Sequence, residues 1–310
     1  MLNPFCRHLA RASAPAERLA ARRRLARLAS AVRPAHALLL QLQSVNRRRV
    51  QQPVHQTQIA TLRRDGFVVV PSFLPDDAQE ALRDVALGQL AARVPPLELE
   101  ADLKYPGAPP SQDAAGGQTV RRLLDAYGRD PLFALWGVAS RVGDWMRAYF
   151  GEDVLMSRAH HNCLMTKHPR YGSMTGWHRD IRYWSFERED LVSVWMALGE
   201  ETSENGGLWF VPRSHAMTFG EEQFDAAKFF RLDRRDNAEI VRSAVSPRLA
   251  PGDAVFFHCN TLHSAGQNRS DAVKLSLVYT YHGLSNAPKA GTRSASKAEV
   301  RLAVGAARPG

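Results

Sequence analysis

The sequence predicts a mainly β fold with flanking helices (α+β), a helical layer on a double-sheet β-barrel or jelly roll. Three observations predict it. Segments with helical patterning come first, between residues 58 and 150. Short apolar runs bounded by Gly, Pro or Asp follow from Gly151. The last run, Val273–Tyr281, sets Lys274, Ser276, Val278 and Thr280 on one face and Val273, Leu275, Leu277, Tyr279 and Tyr281 on the other. A polar patch on an otherwise apolar strand points to an enclosed space that holds something polar.

Residues 1–53 form a basic extension rich in Ala and Arg, which the sequence gives no reason to expect well ordered. Arg18, Arg22, Arg23, Arg24 and Arg27 interleave with Leu19, Leu25 and Leu28, as in a basic amphipathic helix. The composition also matches an organellar transit peptide. Residues 54–285 read as the folded domain. A short helix ends at Gly66 and leads into the buried strand Phe67–Val70. Pro75, Asp76 and Asp77 open a helix whose apolar face is Leu82, Val85, Ala86 and Leu90. Five prolines and a Gly-Gly pair make 94–118 an irregular loop, placed to act as a lid. Helices are expected over 119–127 and 132–150. Strands are expected over 160–167, 192–198, 208–211, 254–257 and 273–281. The strict alternation of Val192–Leu198 predicts a half-buried strand. Residues 286–310 read as a weakly ordered tail.

The net charge of +10 lies entirely in residues 1–50, which hold eleven arginines and one acid, while the remainder carries 30 basic and 30 acidic residues. A fold that binds nucleic acid through a basic face is therefore disfavoured. The three cysteines, Cys6, Cys163 and Cys259, are far apart. They suit a reducing compartment, the cytoplasm, or the mitochondrial matrix if the basic N-terminus is a eukaryotic transit peptide. No apolar run is long enough for a transmembrane helix. Oligomeric state cannot be read from the sequence.

The chemistry concentrates in Thr175-Gly176-Trp177-His178-Arg179-Asp180. In extended backbone, positions i and i+2 point the same way, so His178 and Asp180 can present an imidazole nitrogen and a carboxylate oxygen to one point. That is two-thirds of the facial triad that holds non-haem Fe(II) with open positions opposite. The segment Phe257–Gly266 offers His258 and His263 as the third ligand.

The chain here resembles the phytanoyl-CoA dioxygenase (PhyH) family of Fe(II)- and 2-oxoglutarate-dependent oxygenases. The resemblance spans roughly Gln58 to Gly283. It rests on Gly66-Phe67-Val68-Val69-Val70-Pro71, Trp177-His178-Arg179-Asp180, Glu204-Asn205-Gly206-Gly207-Leu208, Pro212-Arg213-Ser214-His215, Pro251-Gly252-Asp253, and His263-Ser264-Ala265-Gly266-Gln267-Asn268. It implies a cupin-like double-stranded β-helix and a dioxygenase that hydroxylates a small molecule with O2, releasing succinate and CO2. It implies His178, Asp180 and His263 as the iron ligands. Lys274 stands where the family has the arginine that binds 2-oxoglutarate, with Ser276, Trp195 and Cys163 around the same cosubstrate. Trp177, Tyr183 and Trp184 are the candidates for the substrate side. Asp180 favours hydroxylation, since related halogenases lack this carboxylate. Lys274, Ala265 (for serine) and Arg213 (for glycine) depart from the family pattern. A second reading therefore stays open: a degenerate fold that binds a metal or a small acid without turnover.

Overall fold

The computed structural model describes residues 52–303. The amphipathic-helix and transit-peptide expectations fall on residues outside that range. Helix α1 (Gln52–Asp65) stops at Gly66, whose φ is +84°. A Cβ there would stand 2.5 Å from His215 Nδ1 and 2.7 Å from Thr261 Oγ1, so both space and backbone require glycine. Strand β1 (Phe67–Val70) follows, then α2 (Asp76–Ala91), which carries Asp76 and Asp77 in its first turn and buries Ala78, Leu82 and Ala86. Next come β2 (Leu97–Leu99), β3 (Val120–Leu124), α3 (Ala126–Arg129), α4 (Pro131–Gly137) and α5 (Ser140–Phe150). The second half holds β4 (Val154–Ser157), β5 (Cys163–Lys167), β6 (Thr175–His178), β7 (Val192–Ala197), β8 (Leu208–Phe210), α6 (Arg235–Val241), β9 (Ala254–His258), β10 (His263–Ala265), β11 (Lys274–Gly283) and β12 (Val300–Arg301).

Among the described residues the strands form two antiparallel sheets. The larger runs β1-β9-β7-β11-β5-β3-β2, with β4 also on β11 and β12 on β4; the smaller is β6-β10-β8. They face each other across an apolar layer that includes Trp195, Val255, Phe257 and Val278 from the large sheet and Leu208, Phe210 and Ala265 from the small one. Phe67 stacks on Phe210 at 4.6 Å, joining the layers directly. The other face of the large sheet packs on α2, α4 and α5 through Leu82, Phe133, Val142 and Trp145 against Val194, Met196, Phe256 and Leu277. This is the jelly-roll arrangement expected, with helices on one side.

Four expectations are corrected. The expected helix over 119–127 is mostly strand: Val120–Leu124 pairs with β2 and β5, and only Ala126 and Tyr127 are helical, in α3. Local propensity favours a helix there, but the open edge of β5 supplies the ladder bonds. The segment 132–150 is two helices, because Val138 leaves helical backbone and the Tyr281 hydroxyl takes up the freed Gly137 carbonyl at 2.8 Å. Strand β7 is buried on both faces, since Val194 and Met196 meet the helices while Ser193, Trp195 and Ala197 face the space between the sheets. The tail is ordered as far as it is described: β12 pairs with β4, and Asn286, Ser294 and Leu302 are buried. The 94–118 segment contains β2 and a short turn at Glu100–Asp102, and its Tyr105 ring lies 4.7 Å from the Arg121 guanidinium. Arg213 keeps a left-handed conformation (φ +67°) without being glycine, and its N–H donates to Asp65 O at 2.8 Å.

Candidate metal centre

Strand register builds the site. In the small sheet His263 pairs with His178 on one side and Phe210 on the other, so the two imidazoles are cross-strand neighbours. Their ring centroids are 4.3 Å apart. His178 ends β6, Arg179 is still extended (φ −112°, ψ 137°), and Asp180 opens a short 3₁₀ turn. That one extended residue returns the carboxylate to the side of the histidine. One ligand atom from each of His178, Asp180 and His263 lies within 4.8 Å of the others, and all three residues are buried.

Second contacts fix the ring orientations. His178 Nδ1 lies 2.8 Å from Gly176 O and His263 Nδ1 lies 2.9 Å from Thr261 O. Each Nδ1 donates to its carbonyl, which leaves each Nε2 as the lone-pair nitrogen. Both Nε2 atoms stand 3.5 Å from Asp180 Oδ1. Asp180 is 1% exposed, yet neither of its oxygens has a hydrogen-bond partner among the described residues. A buried carboxylate left in this way, between two imidazole lone pairs, is what a divalent cation satisfies. The donor set of two nitrogens and one oxygen fits Fe(II).

Burial, then the neighbouring His178, pushes His263 down to about 4. Burial alone would raise Asp180, but His161 and His263 more than offset it and hold the carboxyl well below its usual range. His263 and Asp180 are therefore ready for a metal at neutral pH without first losing a proton. His258 is also held near 4, by burial and then by His215. An unfolded chain takes up protons at both histidines below about pH 6.5, and the fold refuses them until about pH 4. Stability of the metal-free protein should thus fall as pH drops through that window, by up to about 1.4 kcal/mol per pH unit for each histidine. His258→Gln should flatten the fall seen in urea unfolding between pH 7 and 5; an unchanged slope would remove this assignment.

His258 is not in the cluster. Its Nδ1 accepts from the Asn260 N–H at 3.1 Å, its ring lies 5.7 Å from His215, and its Nε2 is 3.8 Å from Asp190. Of the two candidates in 257–266, the structure brings His263 to the site.

A cavity opens beside the triad. Its walls include Arg121, Arg122, His161, Met165, Lys167, Tyr183, Trp195, Phe257, Lys274 and Val278. The polar face of β11 does face enclosed space, as its pattern predicts. Lys274 and Val278 line it, Ser276 lies buried in the same row as Met165 and Arg122, and Thr280 meets Ser193 Oγ at 2.8 Å. Cys163 shares the strand face of Met165 and Lys167 but lies beyond the cavity wall, and burial raises its thiol to about 11. Tyr183 lines the cavity. Trp177 and Trp184 do not: Trp177 packs with Val211, Phe230 and Leu262, and Trp184 with Phe186, Leu191 and Cys259. Alternation along β6 turns Trp177 away from His178.

Several wall residues escape sequence reasoning. Arg121 is 2% exposed and donates to Glu100 at 3.2 Å, Ser173 Oγ at 2.6 Å and Thr175 Oγ1 at 2.9 Å. Arg122, its neighbour on β3, has Glu98 at 3.4 Å as its ion-pair partner among the described residues. His161 has its Nδ1 3.2 Å from Asp180 Oδ2 and a left-handed backbone (φ +44°). Glu201, which is not itself part of the wall, pairs with Lys274 at 2.9 Å. The adjacent Arg-Arg and His-His pairs were the available signals, but neither has a spacing that marks a site.

The sequence pattern of the phytanoyl-CoA dioxygenase (PhyH) family matches residues 62–276. The chain is 26% identical over 250 residues to an ectoine dioxygenase of Sphingopyxis alaskensis, covering 76% of this chain and 78% of that one. It is 25% identical over 252 residues to an L-proline trans-4-hydroxylase of Streptomyces griseoviridis, covering 73% and 85%. Its fold is similar to that of the epimerase SnoN, solved with Fe3+, alpha ketoglutarate and nogalamycin RO (TM-score 0.62, 20% identity, 77% and 87% covered). It is likewise similar to EctD from S. alaskensis, solved with 2-oxoglutarate and 5-hydroxyectoine (TM-score 0.60, 22% identity, 75% and 77% covered). With the triad assembled and the family pattern running across more than two-thirds of its length, the chain belongs to the phytanoyl-CoA dioxygenase (PhyH) family.

Proposed function

We infer that this chain is an Fe(II)- and 2-oxoglutarate-dependent dioxygenase that hydroxylates a small organic substrate: an acyl-CoA, an amino-acid derivative or a secondary metabolite. The observation that carries the reading is the buried carboxylate of Asp180, unpartnered and flanked by two imidazoles whose Nε2 atoms are free. The relatives named as dioxygenases and hydroxylases support it. When bound, iron and 2-oxoglutarate would supply the oxidising chemistry: substrate, the oxoacid and O2 become hydroxylated substrate, succinate and CO2, with one oxygen atom going to each acceptor.

The chain's own residues do the rest. His178, Asp180 and His263 hold the metal on one face and leave the cavity side open. His161 Nδ1 stands 3.2 Å from the outer oxygen of Asp180, close to the carboxylate without a formed hydrogen bond. Lys274, with Ser276 and Trp195 around it, meets the far carboxylate of 2-oxoglutarate as a point charge rather than through a bidentate fork. Arg122 adds cationic character to the same wall, while burial and the nearby Arg121 push the Lys167 ammonium well below its usual range; Tyr183, Phe257 and Val278 supply apolar surface that excludes water. The reading places the protein in a reducing compartment, the cytoplasm. Cys163 and Cys259 are free and buried, and no described helix is long and apolar enough to cross a membrane.

The test is a succinate-release screen with Fe(II), 2-oxoglutarate and O2 over the three substrate classes. At least one class should raise succinate release well above the uncoupled background. Iron-loaded protein that binds 2-oxoglutarate yet releases none with any class would favour the degenerate reading instead.

A further inference from the structure

Lys274 is not a free cation. Its Nζ donates to Glu201 Oε2 at 2.9 Å and to Ser276 Oγ at 3.1 Å. Glu201 Oε1 in turn accepts from Ser276 Oγ at 2.6 Å and from Trp195 Nε1 at 2.9 Å. Both ends of the ion pair are 1% exposed. The backbone of Glu201 is fixed as well, exchanging hydrogen bonds with Leu249 in both directions at 2.9 Å. The carboxylate cannot swing clear of Lys274 without leaving three partners.

We propose that Glu201 is a specificity-determining residue for the cosubstrate, an internal carboxylate that competes with the far carboxylate of a 2-oxoacid for Lys274. The inference rests on the reading of Lys274 as the cosubstrate's contact. An ammonium has three N–H donors, and two are used here, so one remains for a ligand. An arriving carboxylate therefore meets a nearly neutral pair in place of a bare cation. Its attraction to Lys274 is offset by repulsion from Glu201 at similar range. A 2-oxoacid with an uncharged tail meets neither force. The pocket should consequently prefer 2-oxoglutarate over 2-oxopentanoate, the oxoacid of equal length whose tail carries no charge, by less than Lys274 alone would give. Trp195 and Ser276, which read as cosubstrate contacts, here serve first to orient Glu201.

Glu201→Gln keeps the shape and the acceptor that meets Trp195 and Ser276, and removes the charge. In the manganese(II)-loaded protein, isothermal titration should show 2-oxoglutarate binding tightened about tenfold or more by the change, with 2-oxopentanoate unchanged. The ligand-free variant should melt roughly 5 °C lower, because an ammonium is left buried without its counter-charge. Added 2-oxoglutarate should then raise its melting temperature by more than it raises the wild type's, since the ligand replaces the missing carboxylate. Lower melting without that larger rise would make Glu201 a structural residue only and overturn the proposal. Lys274→Met separates the two levels. Unchanged 2-oxoglutarate affinity in that variant would remove the reading of Lys274 itself. Weakened affinity there, with no tightening in Glu201→Gln, would remove the proposal and leave the reading. If Glu201→Gln does not fold, the wild type still decides. A preference for 2-oxoglutarate over 2-oxopentanoate below about tenfold is expected, and one above about a hundredfold would contradict it.

Discussion

His263→Ala is expected to lower Fe(II) affinity by more than about 100-fold, beyond the range seen when only an outer partner of a ligand is lost. His258→Ala should leave that affinity within a few-fold. The two histidines are five residues apart and only the family resemblance favours His263 in the sequence, but β10 turns it toward Asp180 while the end of β9 turns His258 toward His215 and Asp190. The deletion of His263 removes one of three ligand groups and leaves His178 as the one ligand imidazole beside Asp180. Anaerobic titration of both variants with Fe(II) checks the order. Equal losses, or the larger loss in His258→Ala, would mean that the small sheet does not carry the metal.

Arg121→Met is expected to cost about 3–5 kcal/mol of stability, as breaking a fully buried ion pair does when one charge is left behind. Glu100 is 0% exposed, and Arg121 is its ionic partner in the structure. The same guanidinium holds Ser173 and Thr175, the residues that lead into and begin β6, so the change should also loosen the approach to His178. Metal affinity should fall, though by less than in His263→Ala. The exposed pair Arg248–Glu200 gives the control, since its loss should cost no more than about 1 kcal/mol. Urea unfolding of the two variants would expose an error if their costs were equal.

Arg121 also marks where sequence reading stops. Strands β1, β9 and β11 are legible because their β-branched and aromatic runs are bounded by Gly, Pro or Asp. The His178–Asp180 pair is legible because spacing in extended backbone carries its own geometry, and the polar row of β11 because alternation does. Strand β3 is not, since Val120-Arg121-Arg122-Leu123-Leu124 has no strand signature of its own and is made a strand by the edge of β5. Its arginines therefore stay hidden, as do the wall position of His161 and the pairing of Glu201 with Lys274, which depend on sheet register and loop closure across long stretches of chain. Trp177 and Trp184 stand off the wall of the triad's cavity for the converse reason. Closeness in sequence to His178 suggests closeness in space, but the pleat and the turn at Asp180 send both indoles into separate apolar clusters.

The central claim is a single divalent ion shared by two cross-strand histidines and the aspartate that follows the first. Anomalous scattering at the iron edge, from crystals grown anaerobically with Fe(II), tests it most directly. The account predicts one strong peak bounded by His178 Nε2, His263 Nε2 and an Asp180 oxygen. A peak beside His258, His215 and Asp190, or iron-soaked crystals with no peak at the triad, would contradict it.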